Sequence, residues 1–95
     1  MLHIVVTDNA KFTLQTIFDT IENRFSAKRA DDFLAKVEKT LLQISKNPAI
    51  FKATPLSKNV RIGRIGKHTS FCYQINENSL VVLYFWDNRQ DPLTA

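Results

Sequence analysis

The hydrophobic period of this chain changes once, near Asn47-Pro48, and that switch constrains the fold more than any other feature. Upstream, Ala10, Leu14, Ile17, Ile21 and Phe25 recur at three- and four-residue spacing. Ala30, Phe33, Leu34, Val37, Leu41 and Ile44 repeat the pattern. Such spacing lines one side of an α-helix with apolar groups and predicts two amphipathic helices. Downstream the spacing falls to two. Thr69, Phe71, Tyr73 and Ile75 alternate with His68, Ser70, Cys72 and Gln74, as in a strand with one apolar face. Helices followed by a run of strands predict an α+β architecture.

Local signals refine this outline. Leu2 to Val6 is apolar and mostly β-branched, which predicts a short opening strand buried on both faces. Thr7, Asp8 and Asn9 offer three consecutive caps for the first helix, and Ser26 offers one for the second. The join at Phe25–Ala27 is so short that the helices should form an antiparallel hairpin. Asn47-Pro48 ends it, because a residue before proline is driven out of the α region. Ala49 to Asn59, with Pro55, reads as a loop. Val60 and Ile62 then alternate with Arg61 and Gly63 while Ile65 falls out of phase, which suggests a bulge or turn at Gly63 or Gly66. Glu77-Asn78 reads as a tight hairpin turn. Leu80 to Trp86 is apolar without interruption, the pattern of a central strand covered on both faces. The expected order is β-α-α-β-β-β, an antiparallel sheet with the helical hairpin packed on one face.

Composition bounds the rest. Ninety-five residues make one domain, residues 1–95, with one modest core. At 44% hydrophobic and 23% charged, the chain is too apolar to be wholly disordered. No apolar run approaches the ~20 residues of a membrane helix, so no membrane association is expected. The N-terminus lacks the basic lead and small-residue cleavage site of a signal peptide. The lone Cys72 cannot form an internal disulfide, and a cytoplasmic location is the expectation.

Charge is unevenly placed. Met1 to Ser45 carries six Lys/Arg and six Asp/Glu, so the excess of +4 lies wholly in the second half. From Lys46 to Lys67 there are Lys46, Lys52, Lys58, Arg61, Arg64 and Lys67 with no acid. Such a stretch is either a surface for polyanions or an acidic protein, or simply a solvated loop.

Several chemistries are excluded. No glycine loop cradles phosphate, and no cysteine pair suits zinc. His3 and His68 lack metal-ligand spacing to a partner, so neither metal nor cofactor is expected. Cys72 reads as a small packing residue, and Trp86 either fills core or sheet edge or stacks a base. The arginines carry more information. Planar guanidinium forks at Arg61, Arg64 and Arg89 suit phosphate binding, and their fixed charge suits an anionic transition state. Equally, Arg89 can pair with Asp87 or Asp91 and tie down the tail.

The element order, the Asn47-Pro48 stop, VRIGRIGKHTSFCYQI and the strand ending WDNRQDP together resemble the RelE/ParE superfamily of bacterial type II toxins. The most specific parts are Val60-Arg61, Tyr73 within its strand, and Asp87 to Pro92. The resemblance covers nearly the whole chain. It implies a toxin of a toxin–antitoxin system, associated with plasmid stabilisation, and a cognate antitoxin whose acidic segment covers the basic face.

For activity the resemblance implies two branches. RelE-like members are mRNA interferases that cut messenger RNA on the ribosome without metal. Carried over, Arg61, Arg89 and His68 would be catalytic, and Lys52, Lys58, Arg61, Arg64 and Lys67 would bind RNA phosphate. The departures are Ser70, where those enzymes often place an arginine, and a tail after Arg89 with no tyrosine or histidine. Without such a group, acid–base help worth about 100-fold is missing unless His68 or Tyr73 supplies it. ParE-like members inhibit DNA gyrase and cleave nothing. A third alternative is an inactive member that retains only antitoxin binding.

Overall fold

The computed structural model of the chain describes residues 1–90. Strand β1 (His3–Val6) leads into helices α1 (Asp8–Arg24) and α2 (Ala27–Lys46), followed by β2 (Ala53–Thr54), β3 (Ser57–Ile65), β4 (Thr69–Ile75) and β5 (Ser79–Asp87). A short 3-10 turn, Asn88–Gln90, closes the described chain. The sheet order is β1-β5-β4-β3-β2. β2 to β5 run antiparallel to their neighbours, whereas β1 pairs parallel with β5, so the sheet is mixed. Asp91 and the Pro92–Ala95 tail lie outside the described residues.

The helices start where the caps predict. The Thr7 hydroxyl accepts from Ala10 N, and the Ser26 hydroxyl accepts from Arg29 N. Asn47 is the C-cap of α2, as the following proline requires. The apolar stripe of α2 places Phe33, Val37, Leu41 and Ile44 in the core. They meet Phe71, Tyr73, Leu80, Val82 and Phe85 from the sheet. Phe71 is the centre of an aromatic group, with Tyr73 and Phe85 each 5.6 Å away and Phe51 at 6.2 Å, edge-on.

Helix α1 is fixed to β5 by two threonines. Thr7 Oγ1 lies 3.0 Å from both the Val82 and Leu83 carbonyls, to which it donates. Thr13 Oγ1 accepts from Phe85 N at 2.9 Å. β1 ends opposite Val82, so these hydroxyls take over backbone groups of β5 that no strand reaches.

Four expectations change. β1 is an edge strand with alternating exposure, not one buried on both faces, and Val5 is exposed. The loop from Ala49 to Asn59 contains β2 and the start of β3, too short and polar to show a period. The apolar β5 is covered on one face only. A bulge opposite Cys72 and Tyr73 leaves Leu83 out of register, and beyond it Tyr84 and Trp86 point away from the helices. β3 pairs with β4 in unbroken register from Val60 to Ile65, so Gly63 is no bulge.

Gly63 instead makes room. A Cβ there would collide with the Phe71 ring and press on Phe51, so only glycine lets that aromatic group sit against β3. Gly66, at φ +64°, is the turn residue between β3 and β4.

Candidate functional site

Alternation along β3 distributes the basic run to different sides of the molecule. Arg61, Gly63 and Ile65 face the helices, whereas Ile62 and Arg64 face away. Lys52 lies in the loop before β2, Lys58 is exposed near the start of β3, and Lys67 sits in the β3–β4 turn. The basic run is therefore split at Arg61 and Arg64, because residues at odd spacing on a strand point to opposite faces.

Arg61 is half-buried, opposite Tyr73 in the β3–β4 ladder. Its Nη1 donates to the Phe51 carbonyl at 2.6 Å, and its buried Nε has no partner. Tyr73 is fully buried and donates its hydroxyl to the Pro48 carbonyl at 2.8 Å. Burial pushes the Tyr73 phenol above its ordinary value, and the Arg61 charge opposes that rise. Both side chains thus hold the loop after α2 onto the sheet.

His68 and Arg89 lie at the other end of the ladder. His68 precedes Thr69, which pairs with Asp87, and its carbonyl accepts from Asn88 N. The row of Thr69 is four residues from that of Tyr73, about 13 Å along the strand at the usual rise. Arg61 therefore stands apart from His68 and Arg89. Arg89 is itself engaged: Nε and Nη2 donate to the two carboxylate oxygens of Asp87 at 3.1 and 2.8 Å. These bonds hold the Asp87 carboxyl below its ordinary value even though burial pushes it upward. Of the two partners foreseen for Arg89, Asp87 is the one present among the described residues.

Ser70, where RelE-like enzymes often carry arginine, is buried and donates to Asn88 Oδ1 at 3.0 Å. Cys72 is buried, and desolvation raises its pKa while a hydrogen bond with Tyr84 lowers it. Trp86 is half-buried beside Tyr84, with ring centroids 5.4 Å apart. Among the described residues, no three histidine, cysteine or acidic side chains gather to hold a metal ion. No helix among them is long and apolar enough to cross a membrane.

What the structure does bring together is a groove of about 430 Å³ between the helical hairpin and the β3–β4 turn. Ile17, Ile21, Phe25, Phe33 and Ile65 supply its apolar lining. Arg29, Lys36, Lys67, His68 and Arg89 stand around it with Asp32 and Asp87. Phe25, Arg29 and Lys36 were absent from the sequence-based candidates. They lie in the neutral half of the chain, and only the close approach of the hairpin to the turn joins them to Lys67 and Arg89.

The sequence matches the family model of the ParE toxin of the type II toxin–antitoxin system parDE over residues 4–92. No curated protein matches it. Among solved structures, the chromosomal ParDE toxin–antitoxin system from P. aeruginosa is similar with a TM-score of 0.76 and 13% identity, over 92% of this chain and 96% of that one. The YoeB dimer from Staphylococcus aureus is similar at TM-score 0.60 and 15% identity, over 87% and 92% of the two chains. The Helicobacter pylori protein HP0894 follows at 0.58 and 16%, over 94% and 97%. At these identities the structural likeness concerns the fold.

Proposed function

The chain belongs to the ParE toxin family of type II toxin–antitoxin systems, and we propose that it acts without catalysis, as an inhibitor of DNA gyrase. The observation that carries this reading is the separation of Arg61 from His68 and Arg89. A ribonuclease of the RelE kind needs its cations and a proton-transfer group converged on one phosphate, within hydrogen-bond reach of the reacting atoms. Here Arg61 donates to the Phe51 carbonyl, and Arg89 is taken by Asp87. Arg61 and Arg64, on opposite faces of β3, likewise cannot line one phosphate track together. Gyrase is what the ParE branch is expected to inhibit, and it works in the cytoplasm. Plasmid stabilisation is then the role of the pair, with residues 1–95 acting as one domain.

Purified protein added to gyrase and relaxed plasmid should block supercoiling, and should leave messenger RNA intact with or without ribosomes. Intact supercoiling together with ribosome-bound RNA cleavage that Arg61→Ala or Arg89→Ala abolishes would restore the ribonuclease reading.

A further inference from the structure

The acid-free run from Lys46 to Lys67 contains the β2–β3 hairpin, and that hairpin overhangs the sheet. β3 pairs with β4 only from Val60 onward, so Ser57–Asn59 and the tip before them project past the ladder. Thr54 pairs with Ser57, which leaves Pro55 and Leu56 as a two-residue tip. Proline suits the first central position of such a turn because its ring presets φ. Thr54 Oγ1 accepts from Leu56 N at 3.3 Å and keeps the tip closed. The next pair of the ladder is Ala53 with Arg61, so Lys58 and Asn59 bulge outward without partners on β2.

Leu56 is 86% exposed, more than any other large apolar side chain among the described residues except Met1. A single exposed leucine is ordinary, but the setting of this one is not. Lys52 and Lys58 flank it, both exposed, and among the described residues neither has a carboxylate partner. The base of the hairpin is rigid. Tyr73 holds the Pro48 carbonyl, Arg61 holds the Phe51 carbonyl, and the Phe51 ring packs edge-on against Phe71. The groove beside the helices takes no lining residue from 47–60. The hairpin is thus a convex, preorganised projection with an apolar tip and basic flanks, a shape that enters a cleft and does not receive one.

We infer that the β2–β3 hairpin binds duplex DNA, with Pro55 and Leu56 wedged into the minor groove and Lys52 and Lys58 on the phosphates to either side. Proteins that bend DNA from the minor groove insert just such apolar groups between base steps, with basic and amide side chains beside them. Asn59, two residues from the tip strand pair, supplies an amide within the same bulge. Duplex DNA fits better than RNA. The A-form minor groove is wide and shallow and gives a wedge no walls, and unpaired bases call for aromatic planes, of which the tip has none. The absence of acid over the whole run matches a partner that is anionic along its full length. The inference concerns DNA itself and stands apart from whether gyrase is the target.

The test uses the purified toxin and a short mixed-sequence DNA duplex labelled at both ends, so that anisotropy reads affinity and energy transfer reads bending. Wild type should bind and bring the ends closer. Lys52→Gln combined with Lys58→Gln should lower the slope of log affinity against log salt by about two, one for each lost phosphate contact. Leu56→Ala should weaken binding about tenfold, leave that slope unchanged and abolish the bend. These side chains are exposed, and an unchanged melting temperature would confirm that each variant is folded. No duplex binding by wild type at low salt would overturn the inference. So would Leu56→Ala protein that bends the duplex and binds it within about twofold of wild type. Tighter binding to single-stranded DNA or RNA of the same sequence would overturn it by giving the hairpin to unpaired bases. A loss of salt slope from Arg64→Gln as large as that from the lysine pair would move the DNA to the outer face of the sheet and overturn it likewise. Hairpin variants that lose gyrase inhibition, with no duplex binding by wild type, would give the hairpin to a protein cleft instead. Wild-type protein that spares gyrase yet binds and bends DNA through Leu56 would support this inference while removing the gyrase reading.

Discussion

Arg89 holds Asp87 at three points: its backbone N and Nε donate to one carboxylate oxygen at 2.8 and 3.1 Å, and Nη2 donates to the other at 2.8 Å. The Asp87 side chain is only 10% exposed and the Arg89 side chain 46%, so water screens one partner but hardly the other. The pair fastens the end of β5 to the turn that follows, and it engages the guanidinium that the resemblance would assign to catalysis.

Asp87→Asn should destabilise the fold by about 1–2 kcal/mol near neutral pH, after discounting for the exposure of Arg89. The folded-state pKa of Asp87 lies below its ordinary value of 3.8. Its contribution is therefore complete above that value and is lost as pH falls through the lower, folded one. Urea titrations from pH 7 down to pH 2 should show the variant's deficit shrinking toward zero in acid. A deficit independent of pH would mean that the charge of Asp87 is not what stabilises this end of the strand.

Thr13→Val should cost about 1–3 kcal/mol, because it keeps the shape of the side chain but leaves the Phe85 N–H without its acceptor. Hydrogen exchange at the Phe85 amide gives the sharper readout. Its protection should fall more than that of Val82, which is paired with strands on both sides. Equal protection in variant and wild type would show that another group takes over the bond.

Gly63→Ala should destabilise by about 1–3 kcal/mol through overpacking against Phe71 and Phe51. Combining it with Phe71→Leu should recover part of that loss relative to the sum of the single variants, since the two sites share one clash. Strict additivity in chemical denaturation would refute the steric account.

Tyr73→Phe should lower stability by about 1 kcal/mol, leaving the Pro48 carbonyl without its 2.8 Å donor while the ring keeps its place beside Phe71. Gyrase inhibition should persist, because the buried hydroxyl is engaged in securing a loop. Lost inhibition with unchanged stability would point to a role for Tyr73 at the target.

The helices could be read from sequence residue by residue, because capping and the 3.6-residue period are local properties. Thr7, Ser26 and Asn47 mark their ends as expected. The strands were legible as strands but not always in facing. On β3 the apolar Val60 and Ile62 suggest the inner face, yet Arg61 and Gly63 occupy it. Gly63 is inward because Phe71 needs its space, and Arg61 because the Phe51 carbonyl needs its donor. Neither reason is visible until β4 and the loop after α2 are in position.

The candidate site was legible only in part. Lys67, His68 and Arg89 were named from sequence and do meet at one groove, while Lys52, Lys58, Arg61 and Arg64 lie elsewhere. Phe25 and Arg29 gave no signal, since Phe25 only closes the stripe of the first helix and Arg29 is one cation among several on the second.

By itself the sequence determined the two helices and the three strands linked by the β3–β4 and β4–β5 hairpins, because hydrophobic period, caps and turn residues act within a few positions of one another. Tertiary structure decided which face of each strand is covered, where β1 pairs, and which charges meet. A two-residue period distinguishes two faces without saying which one the helices will cover. A charge run along a strand is split between those faces. Residues from Phe25 to Arg89 become neighbours only when the hairpin closes over the β3–β4 turn.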